Sequence, residues 1–161
     1  MPVDPASFRQ ALSQFASGIT VVTTRGTGGE PMGLTVSAFC SVSLEPPLVL
    51  VSVDERSEAH AGFQASGLFA VSLLSEGQDD VSRLFARPGP EKFAQLPMES
   101  GERGLLLVPG ALAHVECEVR AAHPAGDHVL YVGEIVSIAV SPGRPLLYHR
   151  GGYRRLAGDA E

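Results

Sequence analysis

The sequence predicts a mostly β protein with a few helices, built as a small, mainly antiparallel barrel with helical caps. Three observations carry that expectation. Gly (18) and Pro (12) make up nearly a fifth of the 161 residues, against an average of about 12%. They are spread along the chain rather than gathered in a linker, as many short strands and tight turns require. The strand-like segments do not alternate regularly with helices, which argues against a doubly wound parallel sheet.

The elements follow in order. Asp4-Pro5 opens a helix, with Asp as N-cap and Pro at its first position. Phe8, Leu12 and Phe15 recur at helical spacing and form one apolar face that Gly18 ends. Ile19–Thr24 is β-branched throughout and reads as a strand. Gly33–Phe39 and Leu48–Val53 are further strands, separated by Leu44-Glu45-Pro46-Pro47. Ser57–Ala65 forms a short helix and Leu68–Leu74 a strand. Asp79–Ala86 carries Val81, Leu84 and Phe85 at helical spacing. Arg87–Gly110 holds four prolines and is mostly loop. Ala111–Ala122 and His128–Val140 are two long strands joined through an elaborate turn, His123–Asp127. Pro145–His149 and Gly152–Leu156 make a last short pair around Gly151-Gly152. The length suits one domain over residues 1–161, with its core at about 8–156.

Composition excludes several classes. A net charge of −6 argues against nucleic-acid or anionic-membrane binding. No apolar run approaches the ~18 residues of a membrane span. The N-terminus lacks the basic region and apolar core of a signal peptide. Cys40 and Cys117 therefore read as free thiols in a reducing cytoplasm. No Cys-x-x-Cys or His-x-His spacing indicates a metal. No glycine-rich nucleotide loop of the Rossmann or Walker kind is present.

Five stretches have side chains suited to chemistry. Thr35, Ser37, Ser41 and Ser43 share one side if their strand runs straight. Such a hydroxyl face can bond a polar ring or a phosphate, although a solvated strand face shows the same alternation. Asp54-Glu-Arg-Ser-Glu58 places Ser57 at a helix head beside Arg56, a phosphate-compatible pair, although the pattern alone favours Ser57 as a simple cap. Arg87 follows Phe85 and Ala86 at a helix end, where it meets a ligand or the helix dipole. His128 follows Gly126-Asp127 in the hairpin turn. Arg144, Arg150, Arg154 and Arg155 reverse the local charge near the C-terminus, for an anionic ligand or as a basic surface turn.

In this order, the stretches resemble the flavin reductase-like family, the short-chain reductase components of two-component flavin monooxygenases. The resemblance runs from Phe8 to Leu156 through Phe15-Ala-Ser-Gly-Ile-Thr-Val-Val-Thr23, Ser41-Val-Ser-Leu-Glu-Pro-Pro47, Phe69-Ala-Val-Ser-Leu-Leu74, Gly126-Asp127-His128 with Gly133-Glu134, and Pro145-Leu-Leu-Tyr-His-Arg-Gly-Gly-Tyr153. It implies an FMN-binding split β-barrel and a homodimer with flavin near the subunit interface. It also implies FMN or FAD, with NADH or NADPH as co-substrate. By resemblance, flavin lies along Thr35, Ser37, Ala38, Phe39, Cys40, Ser41, Ser43 and Leu44, and Ser52, Val53 and Asp54 continue that wall. Ser57 corresponds to a phosphate-binding hydroxyl, while Phe85, Ala86 and Arg87 lie near the phosphate or adenylate end. His128 and the segment His149, Arg150, Gly151 and Tyr153 take the nicotinamide side. The family often has Lys-x-Ser-x-Ser/Thr where this chain has Glu55-Arg-Ser-Glu-Ala59, so a second hydroxyl is missing and Arg56 stands in for the lysine.

The implied reaction is hydride transfer from NAD(P)H to flavin, with reduced flavin passed to a flavin-dependent oxygenase in the cytoplasm. Positioning rather than acid–base chemistry dominates such a transfer, consistent with a sequence lacking a catalytic triad. The alternative from another class is a flavin-storage or electron-transfer module without productive NAD(P)H oxidation.

Overall fold

The computed structural model describes residues 3–158. Helix α1 (Pro5–Leu12) starts as expected, the Asp4 carboxylate accepting from the backbone N–H of Ala6 and Ser7. It stops at Leu12, and none of its residues is buried. Phe8, Leu12 and, beyond the helix, Phe15 stay 57%, 55% and 78% exposed. The chain continues through β1 (Ser17–Gly18), β2 (Thr20–Arg25), β3 (Pro31–Val36), β4 (Phe39–Ser43), β5 (Leu48–Asp54), α2 (Ala59–Ser66), β6 (Leu68–Leu73) and α3 (Asp79–Phe85). A 3-10 turn at Glu91–Ala94 follows, then β7 (Glu99–Ser100), β8 (Leu106–Leu107), β9 (Ala113–Ala125), β10 (His128–Val140), β11 (Leu147–His149) and β12 (Gly152–Arg154). The region read as loop, Arg87–Gly110, thus contains a 3-10 turn and the small β7–β8 hairpin.

Seven strands form an antiparallel sheet in the order β3-β2-β6-β9-β10-β5-β4. A smaller sheet joins β1, β11 and β12. One core draws Val22, Val36, Val51, Phe69, Cys117 and Tyr131 from six strands of the large sheet and Phe63 from α2, so the sheet curls around it. The architecture is the mostly antiparallel one the sequence predicts. Strand β5 shows why: Val49, Val51 and Val53 alternate inward with half-buried outward residues. Strand β2 is buried on both faces, because Val21 enters a second core with Ile19, Leu74 and Phe85. Its threonines stay satisfied there: Thr20, Thr23 and Thr24 donate to the carbonyls of Val36, Leu106 and Leu68 at 2.6–2.7 Å.

Two expectations need correction. Gly33–Phe39 is not one strand. Val36 pairs with Thr20 of β2, whereas Phe39 pairs with Val51 of β5, so the chain crosses from one sheet edge to the other between them. The common hydroxyl face is therefore not formed: Thr35 lies on one edge strand, and Ser41 and Ser43 lie on the other, across a register shift. The β9–β10 turn is also tighter than expected. His123, Pro124 and Ala125 pair with Leu130, Val129 and His128, leaving Gly126-Asp127 as the loop. Gly126 has φ 69° at the first central position, as a type II′ hairpin turn requires.

Both cysteines are free. Burial pushes the Cys117 thiol up to about 12, while Cys40 is exposed. Among the described residues no helix is long and apolar enough to cross a membrane.

Gly133 sits at a register shift in β10, where an added Cβ would lie 2.4 Å from the Phe69 ring and 2.9 Å from the Cys117 Cβ. Gly133→Ala is therefore expected to destabilise the protein by about 1–3 kcal/mol through overpacking. Chemical denaturation of both forms measures it, and an unchanged midpoint would mean the ring moves aside freely.

Candidate functional site

The segment between β5 and α2, the head of α2, strand β3, and the end of α3 with the loop after it frame a cavity of about 550 Å³. That volume lies within the range of small-molecule sites. Thr35, Ser57, Phe85, Ala86 and Arg87 all line it, with Arg56 beside them. Residues far apart in the chain thus meet on one wall.

Local chemistry explains their placement. Asp54 ends β5 and accepts from Arg56 three times, from its backbone N–H at 2.9 Å, Nε at 3.0 Å and Nη2 at 2.7 Å. This fork fixes the guanidinium and holds the Asp54 carboxyl well below the usual carboxylate range, with the Arg56 N–H and charge and the nearby His128 as further causes. Ser57 lies one residue before Glu58, the N-cap of α2; its Oγ accepts from the Ala59 N–H at 3.3 Å, and the residue lines the cavity. Thr35 donates to the Ser82 carbonyl at 2.6 Å, tying β3 to α3. Phe85 is buried edge-to-face against Phe93 with ring centres 5.3 Å apart. Gly33 leaves room for both rings, since a Cβ there would sit 3.1–3.2 Å from them.

The remaining predicted residues separate into other places. Ser37 and Phe39 line a second cavity of about 370 Å³ together with Phe15, Ser17 and Leu146. Ala38, Cys40, Ser41 and Leu44 are exposed, Leu44 at 91%, and Ser43 is half-buried. Ser52 is half-buried on the outer side of β5 and donates its N–H to the Ala38 carbonyl at 3.0 Å. Val53 has its side chain fully buried in the core, because strand alternation turns it inward, so only its backbone is left to meet a ligand.

His128 opens β10 opposite Asp54, and its Nδ1 lies 2.7 Å from the Asp127 carboxylate. The hydrogen bond to His128 lowers the Asp127 carboxyl. His149 and Tyr153 lie on the small sheet, which joins Ser17 at β1. That sheet meets β2, β6 and β9 at their Thr20, Leu73 and Ala113 ends, through Ile19, Leu74 and Leu112. His128 pairs with the opposite end of β9, at Ala125. One chain therefore does not bring His128 and the His149–Tyr153 segment together. Arg150 and Gly151, with φ 50° and 74°, form the type I′ turn of the β11–β12 hairpin. Tyr153 donates to Ser82 Oγ at 2.8 Å. The C-terminal basic residues are largely engaged: Arg144 and Arg155 pair with Glu76, and Arg150 donates to Gln14.

Sequence reasoning missed Lys92. It lies in the 3-10 turn, is only 7% exposed, and lines the larger cavity. Its signal was present but unread: it is the one lysine among 12 basic residues.

Residues 12–157 match the family model described as "Flavin reductase like domain". The chain belongs to the flavin reductase-like family. It is 44% identical over 151 residues to the "FMN reductase (NADH)" of Agrobacterium fabrum, covering 94% of this chain and 86% of that one. It is 44% identical over 151 residues to the reductase component of 4-hydroxyphenylacetate 3-monooxygenase of Thermus thermophilus, covering 93% and 95%. The solved NADH:FAD oxidoreductase of Streptomyces globisporus, in complex with NAD and FAD fragments, superposes with a TM-score of 0.92 at 38% identity, covering 100% and 99%. Against the "Probable flavin reductase" of Rhizobium meliloti, 41% identical over 159 residues, 98% of this chain spans 51% of that protein's length.

In this flavin reductase-like chain the Asp54–Arg56 fork can be tested by titration. The folded Asp54 carboxyl lies below its unfolded value of 3.8. The pair's contribution to stability is therefore present at neutral pH and lost as pH falls through the folded value. Carbon NMR of the Asp54 carboxyl should place its midpoint well below 3.8, and Arg56→Ala should raise it. An unmoved midpoint in the variant would remove Arg56 as the cause.

Proposed function

We propose that this chain, taken over residues 1–161 as one functional unit, is an NADH-dependent flavin reductase. It transfers a hydride from NADH to FMN or FAD and supplies reduced flavin to a partner oxygenase in the cytoplasm. The carrying observation is the cavity of about 550 Å³ with Ser57, Arg56 and Arg87 on its wall. An apolar ring wall at Phe85 and Phe93 beside fixed cationic and hydroxyl groups suits a flavin nucleotide. Relatives named as NADH-dependent flavin reductases and as monooxygenase reductase components support the co-substrate and the oxygenase.

Bound flavin supplies the hydride-accepting ring. The chain's own residues position and shield. Ser57 and Arg87 receive the phosphate end, with Arg56 held ready by Asp54. His128, oriented by Asp127, positions the nicotinamide. Steady-state oxidation of NADH and NADPH with FMN, FAD and riboflavin tests the reading directly. Wild-type protein that binds flavin yet oxidises neither nucleotide would favour the storage module. His128→Ala is expected to lower kcat/KM for NADH about five- to thirtyfold, the loss of a hydrogen bond of about 1–2 kcal/mol, with flavin affinity nearly unchanged. Loss of flavin binding with intact NADH kinetics would reverse that assignment.

The functional form is a homodimer. The apolar face Phe8, Leu12 and Phe15 stays more than half exposed on the single chain, and Leu44 and Val140 are 91% and 77% exposed. The His149–Tyr153 segment lies away from His128 in one chain, so the second copy completes the nicotinamide side. Light scattering should report twice the 16.9 kDa chain mass, and Phe8→Glu together with Leu12→Glu should shift it toward the monomer. A fully active monomer would refute this arrangement.

A further inference from the structure

Lys92 is the chain's single lysine and its most unusual charge. Lysine is rarely buried unless paired, because a desolvated ammonium is costly. Here it is 7% exposed, and burial lowers its pKa. Its Nζ donates to the carbonyls of Gly33 and Arg87, both at 2.7 Å. Gly33 and Arg87 both line the larger cavity, as Lys92 does. Glu58 and Glu91 act on it only at a distance, and among the described residues no carboxylate reaches salt-bridge range. An ammonium has three donors, and two are used. A largely buried cation thus stands on a cavity wall, 5.8 Å from the centre of the Phe85 ring and without a protein counter-ion, with two of its three N–H groups on carbonyls.

We propose that Lys92 is the buried anion anchor of this cavity and donates its third N–H to a phosphate oxygen of the flavin nucleotide. The inference rests on reading the cavity as the flavin site and adds a residue to it. It also bears on the departure at Glu55-Arg-Ser-Glu-Ala59: a second point charge, beside Arg56, comes from the loop after α3.

A single lysine makes the test clean, since Cε-labelled lysine gives one side-chain signal. Titrating that signal in wild-type protein, with and without ligand, should show FMN raising the Lys92 pKa and riboflavin leaving it in place. A pKa indifferent to FMN overturns the proposal, without requiring any variant to fold. Fluorescence titration of Lys92→Met should then lose about ten- to a hundredfold in FMN affinity, the scale of a charge-assisted hydrogen bond. Riboflavin affinity should stay within about threefold of wild type. Equal losses for both ligands would make Lys92 a structural brace. Unchanged affinity for both would remove it from the site. If Lys92→Met instead raises KM for NADH with riboflavin as acceptor, the phosphate belongs to the nicotinamide nucleotide and the assignment fails. Wild-type protein with no preference for FMN over riboflavin would defeat the cavity reading itself, an outcome separate from failure at Lys92.

Discussion

The β9–β10 hairpin is the constraint on which the rest of the structure depends. Each strand runs 13 residues, and the pair closes through Gly126-Asp127. Its outer sides serve as templates: β5 pairs along β10 and β6 pairs along β9. Those pairings carry the two halves of the sheet, β5-β4 on one side and β6-β2-β3 on the other. Register within the hairpin therefore sets which valines of β5 and which residues of β6 meet in the central core. Gly133 permits close approach of Phe69 at the centre of this spine. The same turn that sets the register presents His128 and Asp127 at the hairpin's tip.

Curling the sheet leaves a geometric problem that becomes a site. The chain leaves β3 at one edge and enters β4 at the other within two residues. Helices α2 and α3 and the loop after α3 pack near the β3 edge, and a cavity remains between them. Its walls are held by polar ties rather than by packing alone: Thr35 to Ser82, Glu58 to the Gly89 N–H, and Lys92 to Gly33 and Arg87. Buried polar groups with defined partners give a shape that an apolar contact surface would not specify. On the cavity lining Arg56, Arg87 and Lys92 outnumber Glu30 and Glu58, a local reversal in a chain of net charge −6.

Much of the fold was legible in the sequence because its signals are local. Asp4-Pro5 capped the first helix as its residue types dictate, and the β-branched run at Ile19–Thr24 formed a strand. The valines of Leu48–Asp54 alternated as a half-buried strand must. Gly126 and Gly151 gave hairpin turns where backbone sterics favour them. Ser57, Arg87 and Phe85, singled out from a helix head and a helix end, were brought onto one wall.

Other features belong to tertiary structure alone. Period-two alternation in Gly33–Phe39 could not reveal that Val36 and Phe39 pair with different strands, because pairing partners are chosen by long-range register and not by the segment itself. The separation of His128 from His149 likewise follows from their attachment to opposite ends of a long hairpin. Lys92 stood in a proline-rich stretch without periodicity, so nothing local marked it as buried. The sequence by itself determined the strands, caps and turns, whose energies are set within a few residues. Only the folded chain decided which charges lose their water, because desolvation depends on every element that packs around a group.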